Sequence, residues 1–245
     1  MSLSGFPVLV GNAISNQVSK GTNDPSIVGD LLQDRNMMAG LSQEERDSRL
    51  KELGHALYSG GADTTASLLL SFVAAMVLSL NVQAQAQKEI DLTLGPGVLP
   101  TIADRKQLPY IDRLILELMR WRPPLPIAIP HRCLEDDVYR EYNIAKGTIV
   151  IGNLWAIGRD ETIYKEPEGF DPDRFLDSNV PPFPVFGWGL ISAANRKCPG
   201  LHFGQASLFI TIASLLVMFS FSKKRDSSGN DIDPVIEDAP NSIVM

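Results

Sequence analysis

Apolar positions along this chain fall into a few long helical patterns, separated by short polar or proline-rich breaks. Asp24-Pro25 reads as a helix start, with aspartate as N-cap and proline at the first helical position; the short helix runs to about Asp34 and Gly40 marks a break. Ser42-Gln43-Glu44-Glu45 is a capping box, a serine with glutamate three residues on. It opens a very long helix that reaches Ser79 or Leu80. The first half of that helix is amphipathic, and the second half, from Ala66, is apolar nearly all round, which predicts burial. Asn81–Leu94 reads as another helix, ended by Gly95-Pro96-Gly97. Leu108–Arg122 is a third, with Leu114, Ile115, Leu118 and Met119 at helical period. Strand patterns over Asp137–Tyr142 and Thr148–Gly152 flank the turn Ala145-Lys146-Gly147 and predict a hairpin. Leu201–Phe221 is a last apolar helix, and Ser222–Met245 is a polar, acidic tail with weak strand signals. The fold class expected is mainly α with a small β component.

Composition narrows the function more than the fold. The 245 residues are 44% hydrophobic, enough for a core, and the net charge of −7 argues against nucleic-acid binding. Two cysteines far apart point to a reducing compartment rather than a disulfide framework. Residues 1–20 lack a basic start followed by an apolar run, so no secretory signal is read there. The apolar stretches Ala66–Leu80 and Ser207–Phe221 are shorter than the roughly 20 residues needed to span a bilayer. Both are read as buried core helices.

Three places carry candidate chemistry. Inside the long helix stands Ser59-Gly60-Gly61-Ala62-Asp63-Thr64-Thr65. Two glycines within a helix cost about 1 kcal/mol each against alanine, so they need a reason. Either a ligand approaches the backbone there and Asp63 and Thr64 relay protons, or another helix packs closely. On the third helix Glu117 and Arg120 are three apart and share a face. By itself such a pair is a surface salt bridge worth little. The stretch FGWGLISAANRKCPG places Cys198 between a glycine-rich loop and the first turn of the last helix. A helix N-terminus favours an anion, here a thiolate, and Arg196 and Lys197 add positive charge. The plain alternative is an inert buried cysteine.

Together these stretches resemble the cytochrome P450 family. Phe186, Gly189, Arg196, Cys198 and Gly200 match by type the haem loop F-x-x-G-x-R-x-C-x-G, although five extra residues, about Leu190–Ala194, separate Gly189 from Arg196 and Cys198. Gly60, Gly61, Asp63, Thr64 and Thr65 match the oxygen-activation motif without a gap. Glu117 and Arg120 match E-x-x-R, and Phe170-Asp171-Pro172-Asp173-Arg174-Phe175 is similar to F-x-P-E-R-F. The four motifs occur in family order, and the resemblance covers roughly residues 24–225, with wording most like fungal, microsomal-type members. Asn153–Asp160 resembles a segment that more often has histidine where Gly158 stands.

The resemblance implies a C-terminal half of the P450 fold, and residues 1–245 are expected to form one partial domain without the N-terminal half and membrane anchor. It implies haem b (iron protoporphyrin IX) with Cys198 as the axial iron ligand, and His131 or Arg132 pairing with a haem propionate. Thr64 would hydrogen-bond the oxygen being activated, and Asp63 would help deliver protons from solvent. Glu117, Arg120 and Arg174 would form a buried structural cluster. The implied activity is a monooxygenase that places one atom of O2 into an apolar organic substrate. Its electrons come from NADPH through NADPH-cytochrome P450 reductase, at the cytosolic face of the endoplasmic reticulum membrane. The rival expectation is a truncated, non-catalytic remnant that binds haem poorly or not at all. The extra loop residues are expected to disturb the thiolate, so that removing Leu190–Ala194 improves haem retention.

Overall fold

The structure is a computed structural model that describes residues 16–17, 20–21, 27–34, 39–188 and 197–234, the side chains of Ile27 and Val28 excepted. Contacts divide the chain into two units, residues 1–63 and 64–245. In the first unit α1 (Ile27–Gln33) ends where Arg46 takes over its free carbonyls: Nη2 donates to Leu31 O at 3.0 Å and Leu32 O at 3.2 Å. The capping box at Ser42 is formed in both directions. The Ser42 amide donates to Glu45 Oε2 at 2.9 Å, and the Glu45 amide donates to Ser42 Oγ at 3.3 Å. From there α2 (Gln43–Leu78) runs as one unbroken α-helix through the division at Asp63.

The second unit holds the main core. One face of α2, carrying Leu68, Phe72, Ala75 and Met76, is buried with Val82, Ala86 and Ile90 of α3 (Leu80–Leu94). Ile111, Leu114, Ile115 and Leu118 of α4 (Pro109–Trp121) join them, as do Leu208, Phe209 and Ile212 of the last helix. The expectation that this half of α2 is buried all round holds for that face only. Leu70 is 73% exposed and Val73 37%. The 3.6-residue period turns them away from the core however apolar the sequence is.

Side-chain amides and carboxylates finish the helices. Glu89 on α3 accepts the amide N–H groups of Tyr110 at 2.9 Å and Ile111 at 3.2 Å, in the first turn of α4. Gln83 is buried and grips Phe221 from both sides, accepting its N–H at 2.6 Å and donating to its C=O at 2.9 Å.

The strands pair differently from the expected hairpin. β1 (His131–Arg132) pairs antiparallel with β4 (Ile149–Val150), with His131 opposite Val150 and Arg132 opposite Ile149. β2 (Asp137–Tyr139) pairs with β3 (Tyr142–Ile144). The expected strand Asp137–Tyr142 therefore folds back at Arg140, which takes φ +56°. The Gly147 turn, at φ +89°, instead leads β4 back to β1, with the Gly147 amide bonded to Cys133 O at 2.9 Å. A short helix, α5 (Leu154–Ile157), follows. The final helix α6 (Leu201–Met218) starts three residues after Cys198. A small hairpin, β5 (Lys224–Arg225) with β6 (Asp231–Ile232), occupies the described part of the tail. Both α2 and α6 are long and apolar enough to cross a membrane by length and composition, yet each supplies residues to the core.

Candidate functional site

The structure brings Glu117, Arg120 and Arg174 together. Glu117 and Arg120 share a face of α4, and both side chains are fully enclosed. Arg120 forks onto the carboxylate, Nε to Oε2 at 2.8 Å and Nη2 to Oε1 at 2.7 Å. Its remaining N–H groups reach the carbonyls of Gly158 (2.7 Å), Pro167 (2.8 Å) and Gly169 (3.1 Å). Arg174 Nε donates to the same carboxylate at 3.0 Å, and Asp171 N–H does so at 3.0 Å. Tyr164 lies under the Arg120 guanidinium, 5.4 Å from ring centre to Cζ. Burial pushes the Tyr164 phenol up from its usual range.

These carbonyl partners were beyond sequence reading, because backbone oxygens carry no residue signature. Gly158 is the one with a visible cue. A Cβ there would lie 2.9 Å from Arg120 O and 3.2 Å from the Phe183 ring, so this packing favours a glycine.

Asp63 is exposed on α2 and Thr64 is half-buried one position on. A Cβ at Gly60 or Gly61 would meet nothing within 4 Å, so close packing among the described residues does not account for the two glycines. His131 and Arg132 are exposed on β1, and among the described residues neither is engaged in an ion pair.

Cys198 is a free, exposed cysteine, which sets aside the reading of an inert buried one. Its N–H donates to Phe186 O at 2.9 Å, and its carbonyl accepts from Leu201 N–H at 3.1 Å, tying it to the start of α6. A Cβ on Gly200 would stand 3.7 Å from the sulfur, so the backbone passes close beneath it. The Phe186 ring rests against Gly204 in the first turn of α6. Gly189, Arg196 and the extra residues Leu190–Ala194 lie outside the described residues.

An exposed cysteine at a helix start is chemically suited to ligate a haem iron. The Cys198 thiol is free and exposed, and His131 and the Arg132 guanidinium are exposed on β1. Among the described residues no group of three or more His, Cys, Asp or Glu could hold a metal ion.

Comparison with known proteins gives the class. Residues 15–241 match the family described as Cytochrome P450, and the chain belongs to that family. It is 40% identical over 230 residues to cytochrome P450 monooxygenase claR of Ampulloclitocybe clavipes, covering 91% of this chain and 41% of claR. It is 36% identical over 230 residues to cytochrome P450 monooxygenase 98 of Postia placenta, covering 91% of this chain and 43% of that protein. A zebra fish cytochrome P450 solved with abiraterone superposes with a TM-score of 0.73 at 28% identity, covering 91% of this chain and 53% of that one. The chain thus spans about two-fifths of the length of these fungal relatives and about half of that structure.

Proposed function

We propose that this chain carries the cysteine-ligand half of a haem-thiolate monooxygenase site. The observation that supports it most is the free, exposed Cys198, held by its own backbone against the N-terminus of α6. In this reading Cys198 is the axial ligand of haem b, with Phe186, Gly189, Arg196 and Gly200 around it and His131 or Arg132 on a propionate. When bound, the haem supplies oxygen chemistry, since a thiolate pushes electron density toward the iron and favours O–O cleavage.

The chain's own residues do the rest. Asp63 is open to water and can exchange protons with it. Thr64, on the next position of α2, holds a hydroxyl that can pass a proton within hydrogen-bond reach. The buried cluster at Glu117 keeps α4 locked to the segments around Gly158 and Gly169.

The substrate is an apolar organic molecule that gains one atom of O2. NADPH supplies electrons through NADPH-cytochrome P450 reductase, at the cytosolic face of the endoplasmic reticulum membrane. The decisive experiment is the ferrous–carbon monoxide difference spectrum of the chain reconstituted with haem, beside Cys198→Ala. A red-shifted Soret band lost in the variant supports the reading. A band that survives the substitution overturns Cys198 as the ligand, and an absent band overturns the reading and leaves a haem-free family remnant. With thiolate ligation in hand, Thr64→Ala is expected to lower turnover with reductase by about 10²-fold, the low end of what a positioned proton-transfer group contributes.

A further inference from the structure

We draw no further inference here: the strongest candidate, the exposed apolar patch of Val138, Tyr139 and Tyr142 on the β2–β3 hairpin, carries nothing because nothing in the structure shows what covers it.

Discussion

At Arg120 all five guanidinium N–H groups end on protein oxygens and the side chain is fully enclosed, whereas at Cys198 the sulfur lies exposed beside a helix start. The first region is closed: chain segments far apart in sequence supply every partner a buried charge requires. The second is open, fixed by its backbone while its reactive atom is left available. The same chain thus separates holding from offering. In the reading proposed above, strength sits away from the chemistry, and Cys198 carries little of the fold.

That contrast can be broken by substitution. The largest effect is expected at the closed region. Arg120→Met leaves the Glu117 carboxylate buried beside an apolar side chain, and should cost about 3–5 kcal/mol in denaturant unfolding. An unchanged midpoint would mean that the cluster is not what holds α4. Next comes Gln83→Ala, which strips Phe221 of partners for both its N–H and C=O and should cost about 1–3 kcal/mol by the same measurement.

Glu89 sharpens the comparison through pH. Burial raises its carboxyl above the ordinary 4.5, against the lowering pull of the Tyr110 and Ile111 amides. Above 4.5 the folded chain keeps a proton that the unfolded chain releases, so stability from this group falls as pH rises until the folded value is passed. Glu89→Gln should lose that slope; parallel midpoint-versus-pH curves for the two proteins would contradict it. The smallest effect on folding is expected at the open region. Cys198→Ser should stay within about 0.5 kcal/mol of the parent while abolishing any thiolate-type haem spectrum.

The sequence was most readable where interactions are local. Ser42 and Glu45 lie within one turn, so their reciprocal bonds follow from spacing. Glu117 and Arg120 share a face for the same reason, but their complete burial entered only through motif resemblance, because nothing local says what covers a face. Pairing of Ile149–Val150 with His131–Arg132 escaped, since a strand's partner is chosen by tertiary packing and the nearer hairpin looked sufficient. The exposure of Leu70 escaped too, as an apolar run does not say which side meets the core.

The wiring of Arg120 also bears on timing. Its carbonyl partners stand 38, 47 and 49 residues further along the chain. None of these loop closures brings much reward until the others are made, because a half-enclosed guanidinium is better served by water. The cluster should therefore assemble as one late event, after α4 has found its place against α3 and α6. Once shut, it should be slow to reopen. Interactions that form after the rate-limiting step act chiefly on the rate of unfolding, so Arg120 would serve less as a guide for folding than as the latch that closes behind it.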